Sequence, residues 1–142
     1  MPYDKLKLEN QLCFPLYACS KEIIKKYKPY LDPLGITYTQ YIALMALWEE
    51  DNITLKNLGK KLFLDSGTLT PLLKKMESQK LVLRQRSSDD ERNVYIRLTE
   101  KGKNLREKAL SIPDKIGSCI DLPVEEIVQL QKSLHKLLQQ FD

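Results

Sequence analysis

The sequence is poor in the residues that most often carry catalysis or bind metal. It has 142 residues with one histidine, three cysteines and five glycines. The lone His135 has no partner histidine, and no Cys/His spacing resembles a metal site. No glycine-rich loop offers to cradle a phosphate. An odd number of cysteines builds no disulfide framework, and a reducing compartment would keep them as thiols. No apolar run reaches the length that spans a bilayer. The opening MPYDKLKLENQ lacks the long apolar core of a signal peptide. The expectation is a cytoplasmic protein that uses no cofactor, binds no membrane and is not an enzyme. Internal repeats, low-complexity tracts and linkers are also missing.

What remains is an ordinary globular composition, 42% hydrophobic and 30% charged, and a length that suits one domain over residues 1–142. The net charge of +4 is modest, but it is unevenly spread. Between Ile53 and Lys103 lie twelve Lys and Arg against six Asp and Glu. A basic excess gathered in one segment permits a nucleic-acid partner without requiring one.

The periodicity is mostly helical. Leu12, Leu16, Cys19 and Ile23 form one stripe, and Cys13, Tyr17, Ser20, Ile24 and Tyr27 form a second beside it. Pro15 is tolerable near a helix start, and Pro29, Pro33 and Gly35 are expected to end this first helix. Thr37 and Gln40 fit a capping box. The helix they open is apolar at Tyr41, Leu44, Met45, Leu47 and Trp48 and breaks at Asp51-Asn52. Thr54 caps a short helix with Leu55, Leu58 and Leu62 inward. Asp65 or Ser66 starts another, with Leu69, Leu72, Leu73 and Met76 inward. Pro71 argues for a later start, since it removes a backbone bond anywhere past the first turn. Residues 81–86 and 94–98 alternate as strands around a polar turn at 87–93, giving a two-stranded ribbon with its tip at 88–91. Thr99 caps a long helix to about Gly117. Asp121, Pro123 and Glu125-Glu126 open a last helix ending near Phe141, with Ile127, Leu130, Leu134, Leu137 and Leu138 at helical spacing.

The run from 64 to 102, LDSGTLTPLLKKMESQKLVLRQRSSDDERNVYIRLTEKG, is therefore helix, strand, charged turn, strand, helix. That order predicts a winged helix-turn-helix: a mainly α chain with a small β-ribbon. A helix enters a major groove when its outer face is small, polar and basic. Here that face offers Ser66, Thr68, Thr70, Pro71, Lys74 and Lys75, and N-terminal backbone N–H groups that can hold phosphate. Alone, such a face is equally that of a solvated helix. The adjoining ribbon makes the stronger case. Arg84, Arg86, Arg92 and Arg97 lie on or beside it, and Arg92 is the candidate for a narrow minor groove. Asp90 is expected to hold the wing rather than touch DNA. A plain exposed charged turn remains the alternative for 89–92.

LDSGTLTPLLKKME followed by DDERNVYIRLTEKG resembles the MarR family of bacterial repressors, with Asp90-Glu91-Arg92 matching its wing signature and Leu98-Thr99 the start of the following helix. The N-terminal LENQLCFPLYACSKEIIKKYKPYLDPLGITYTQY is similar to the organic-hydroperoxide-sensing OhrR branch. The resemblance covers nearly the whole chain. It implies a homodimer, with dimerisation helices over 5–34 and 99–142 and the winged-helix region over 37–98 facing a pseudo-palindromic double-stranded operator. The terminal helices are more apolar than one small core needs, which agrees with a partner on their second face.

In that branch the N-terminal cysteine senses organic hydroperoxide, and Cys13 matches it. Tyr27 and Tyr38 resemble the partner-subunit tyrosines that hydrogen-bond the sensing thiolate, and Tyr17 lies one turn beyond Cys13. Thiolates react with peroxide where thiols barely do. A helix N-terminus and phenolic donors would favour the anion. On residue type alone, an inert buried thiol is the commoner outcome. Oxidation would give a sulfenic acid, and two routes onward stay open. A low-molecular-weight thiol caps Cys13, or Cys119 resolves it across the subunits, as the resemblance to two-cysteine members implies. Cys19 is read as structural. Two other functions fit the same residues: a MarR-type regulator that responds to a phenolic or drug-like ligand and, less well, a thiol peroxidase.

Overall fold

A computed structural model describes residues 1–89 and 93–141. Among these, two short 3-10 turns lead into seven α-helices and three strands. Helix α1 (Cys13–Leu31) is followed by a 3-10 turn, then α2 (Tyr38–Glu49), β1 (Ile53–Thr54), α3 (Leu55–Leu62) and α4 (Ser66–Ser78). Strands β2 (Val82–Arg86) and β3 (Val94–Leu98) come next, then α5 (Glu100–Ala109), α6 (Ile112–Gly117) and α7 (Val124–Leu138). No helix among the described residues is long and apolar enough to cross a membrane.

The caps set the helix starts. Thr37 and Gln40 form the reciprocal capping box of α2. Thr54, Asp65 and Thr99 each accept a backbone N–H at the start of α3, α4 and α5. These bonds satisfy amides that have no partner inside the helix. Helix α4 ends differently. Lys80 sits in the left-handed region at φ 62°, its N–H bonds to Glu77, and the N–H of Leu81 bonds to Met76. That is a Schellman closure on a residue other than glycine.

The core lies in the middle of the chain. Leu44, Leu47, Leu58, Leu73 and Ile96 are wholly buried, each worth roughly 1.5–3 kcal/mol relative to exposure. Helix α2 packs against α1, α3, α4 and α5. Trp48 donates its indole N–H to the Gly102 carbonyl at 2.9 Å. Helix α5 approaches so closely here that a Cβ at Gly102 would collide with the Leu81 carbonyl.

The structure corrects several expectations from sequence. Pro29 lies inside α1, which runs on to Leu31; the turn and the left-handed Gly35 finish the segment. Pro71 also lies within its helix, and α4 does begin at Ser66. Its ring stands on the exposed face, where one missing backbone bond is the least costly. The ribbon is a three-stranded antiparallel sheet in the order β1-β3-β2, with Ile53 opposite Ile96. The single long helix after Thr99 is two, interrupted at Leu110-Ser111, with Pro113 in the first turn of α6. The last helix starts at Val124, with Pro123 and not Asp121 at its N-cap position and no side-chain capping bond.

Candidate DNA-binding face and thiol site

The exposed side of α4 carries Ser66, Thr68, Pro71, Lys74 and Lys75, while Thr70 is half-buried. Leu69, Leu73 and Met76 hold the opposite side in the core. The face expected from the helical period is therefore presented, with one correction at its start. The Thr68 N–H is already engaged by the Asp65 carboxylate at 2.8 Å, so this amide does not wait for a phosphate. That bond holds the Asp65 carboxyl below its usual range, since a hydrogen bond to the charged form favours it.

The wing arginines are not equivalent. Arg84 pairs with Ile96 and Leu83 with Arg97 across the sheet. Strand neighbours alternate faces, so Arg84 turns inward and Arg97 outward. Glu77 accepts from the Arg84 backbone N–H at 3.1 Å and from its Nε at 3.3 Å. Arg84 thus ties the last turn of α4 to the wing. Arg86 is exposed opposite Val94 at the end of β2. Beyond it, the Ser87 N–H bonds to the Asn93 carbonyl and draws the strands together. Asp90 and Arg92, the expected wing-holding and groove-entering residues, lie outside the described residues.

Cys13 is the first residue of α1 and is exposed. Tyr17 lies one turn on, also exposed, with the Lys21 ammonium 5.2 Å from its ring centre. Tyr27 and Tyr38 pack edge to face with ring centres 4.9 Å apart, and Tyr41 completes the group at 5.8 Å from Tyr27. Burial pushes all three phenols above their ordinary range, with Tyr38 and Tyr41 adding to the effect at Tyr27. They keep their protons at neutral pH and stay hydrogen-bond donors.

The structure does not bring the thiol and these phenols together in one chain. Cys13 and Tyr27 stand fourteen residues apart on the same helix, a separation of roughly 21 Å. Cys119 follows α6, with its Sγ 3.4 Å from the Lys115 carbonyl. With Glu22, Ile23, Lys26, Ile116 and Ile120 it lines a small cleft of about 90 Å³ between α1 and α6. Ile23 lies ten residues beyond Cys13, roughly 15 Å along the helix. That is far outside the reach of a disulfide. Cys19, expected to be structural, is exposed in the single chain.

A larger cavity of about 1170 Å³ opens between the α3–α4 turn, Val94 of the wing, Leu138 at the end of α7 and Phe141 in the 3-10 turn beyond it. Its walls are mainly apolar, with Lys56 and Lys60 among them. Sequence reasoning missed one contributor to this half of the molecule and half the role of another. Gln79 and Gln40 join the end of α4 to α2. Gln40 was legible only as half of a capping box.

A helix with a small, basic outer face, braced from behind by a wing, defines a winged-helix regulator of the kind that reads duplex DNA. Comparison with known proteins agrees. Residues 25–109 match the family described as transcriptional regulator SarA/Rot. The chain is 54% identical over 137 residues to the organic hydroperoxide resistance transcriptional regulator of Bacillus subtilis (strain 168), covering 96% of this chain and 93% of that one. Reduced AbfR bound to DNA superposes with a TM-score of 0.79 at 38% identity, covering 99% of both chains. Disulfide-formed AbfR superposes with a TM-score of 0.66 at 37% identity, covering 97% of both. The chain belongs to the MarR-type transcriptional regulators, in the group that contains the organic hydroperoxide resistance regulator.

Proposed function

We propose that the chain is a dimeric repressor that binds its operator in the reduced state and lets go when organic hydroperoxide oxidises Cys13. One observation carries this reading. The Cys13 thiol begins α1, while Tyr27 near its other end packs with Tyr38 of α2, so bringing that cluster to the thiol calls for a second chain. The faces needed for crossing are uncovered. Phe14, Leu16 and Ile23 on α1, and Val128, Leu130 and Leu138 on α7, are exposed hydrophobics. Such surface is normally buried on a partner. The two-fold arrangement would set the α4 helices in successive major grooves.

The chemistry balances without a cofactor. The Cys13 thiolate attacks the terminal peroxide oxygen, the O–O bond breaks, and the alcohol leaves with a proton. Sulfur becomes a sulfenic acid. A second thiol then displaces water and forms a disulfide. That thiol is Cys119 of the other subunit or a low-molecular-weight thiol. The intrachain separation favours the intersubunit pairing over any pairing inside one chain. The B. subtilis relative's name and the reduced and disulfide AbfR structures support the same signal. Release requires that the oxidised form disfavour the DNA-competent arrangement.

The test uses full-length protein and a duplex that the reduced protein selects from a randomised library. Mass spectrometry after one equivalent of organic hydroperoxide is expected to show oxidation at Cys13. Cys13→Ser is expected to bind the duplex and ignore peroxide. A Cys13→Ser protein that releases DNA like wild type would overturn the assignment. A covalent dimer on a non-reducing gel, abolished by Cys119→Ser, would select the intersubunit route. The cavity beside the α3–α4 turn supports a second reading, a small aromatic or drug-like effector. Release by an aromatic acid with no response to peroxide would favour it.

A further inference from the structure

We propose that Gln40 and Gln79 are positioning residues that couple the tyrosine cluster to the recognition helix and wing. The idea rests on the peroxide-sensing reading above and adds the route by which the signal leaves the site. Gln40 is almost wholly buried. Its carbonyl accepts the Thr37 N–H at 3.1 Å, and its Nε2 donates to the Gln79 side chain at 2.9 Å. Gln79 answers from the end of α4, donating its own Nε2 to the Gly35 carbonyl at 2.9 Å. The Gln79 backbone carbonyl accepts from Lys101 of α5 at 3.0 Å. The two amides thus clamp the end of α4 to both sides of the turn that carries Tyr38.

Two features make this more than core filling. An apolar pair of similar shape would fill the same space, and hydrogen-bonded amides add little net stability. What amides add is direction, because their donors and acceptors accept little displacement. The last turn of α4 is also held from its other side, since Glu77 bonds the wing at Arg84. Two anchors two residues apart therefore join α4 to the tyrosines and to the wing. When chemistry at Cys13 displaces the partner phenols, the turn moves, the Gln79 to Gly35 bond breaks, and helix and wing shift as one body. The bond is intact in the DNA-competent state and lost in the other, which is the differential contact that coupling demands.

Gln79→Met tests this, because it keeps the side-chain length and removes both side-chain bonds. Cys13 is expected to oxidise at the wild-type rate, while the loss of duplex affinity on oxidation shrinks by about tenfold. Oxidised Gln79→Met that releases DNA as wild type does would overturn the proposal. A second arm needs no oxidation. The double-mutant cycle of Tyr38→Leu with Gln79→Met on reduced-protein affinity is expected to be non-additive by about fivefold. Additivity within about twofold would overturn the proposal even where redox release is normal. Gln79→Glu, which can still accept from Gln40 and cannot donate to Gly35, replaces Gln79→Met in both arms should that variant fold poorly. Wild-type protein that keeps its duplex after Cys13 oxidation would sink the sensing reading, and the cycle would still decide the coupling.

Discussion

The middle of this chain and its two ends obey different rules. Between Ile36 and Ile116 most large apolar side chains are buried, and no buried side-chain polar atom among the described residues lacks a partner. In α1 only Leu31 is buried, and in α7 no residue is. Both end helices nonetheless carry apolar stripes at helical spacing. The middle is a finished fold, and the ends leave apolar faces uncovered in the single chain. The difference teaches that a helical stripe can be spelled out in full without a core of its own beneath it, which leaves it open to a second molecule.

The comparison breaks most readily at α7. Leu130→Glu combined with Leu137→Glu is expected to abolish dimerisation, at a cost of about 1.5–3 kcal/mol for each leucine that a partner would cover. Operator binding should vanish, while the Trp48 signal and helical content of the middle persist. Sedimentation would decide it, and a variant that stays dimeric would remove the interface from α7.

The opposite experiment strikes the middle. Gly102→Ala forces a methyl against the Leu81 carbonyl and is expected to destabilise the fold by about 1–3 kcal/mol. Urea unfolding measures it, and wild-type stability would show that α5 can move away from β2 without cost.

A subtler contrast lies within the basic face. Lys74→Ala is expected to reduce the salt slope of duplex binding by about one unit, the signature of a lost phosphate contact. Arg84→Ala is expected to leave that slope unchanged and to lower stability by about 1 kcal/mol, through its bond to Glu77. Equal slope changes in both variants would make Arg84 a DNA contact instead.

The smallest effect concerns acid stability. Asp65 has a lower pKa folded than unfolded. Its contribution is present in full above the unfolded value of 3.8 and fades as the pH falls through the lower folded value. Asp65→Asn should flatten the stability curve in that acid range only. An unchanged acid limb would mean that the cap does not couple to folding.

Much of this architecture was legible in the letters because its cues were local. Thr37 and Gln40, Thr54, Asp65 and Thr99 announce helix starts within four residues, and all four mark real ones. What escaped was non-local or too short. Strand β1 has two residues, and only its pairing with β3 makes it a strand. The break before α6 hid behind Pro113, which is as welcome in a first turn as it is disruptive inside a helix. Arg84 was legible as one more basic residue of the ribbon; its place opposite Ile96 and its bonds to Glu77 were not, because they depend on register and on a contact with α4. The site was partly legible. Cys13, Tyr27 and Tyr38 entered through the resemblance, and the stripe from Cys13 to Tyr27 already set two of them on one helix; the packing of Tyr27 on Tyr38 and Tyr41 is what no periodicity reveals. The Gln40–Gln79 bond joins positions 39 residues apart, and no local rule reaches that far.

The length of α1 has a genetic consequence. Because it parts the thiol from the phenols, the proposed sensor would be shared property, with sulfur from one polypeptide and aromatic rings from its mate. A polypeptide lacking the sulfur and another lacking the rings should complement each other when co-expressed, restoring one working sensor in every mixed pair. Dilution should do the reverse, blinding the chain to oxidant before it has lost any residue that reacts.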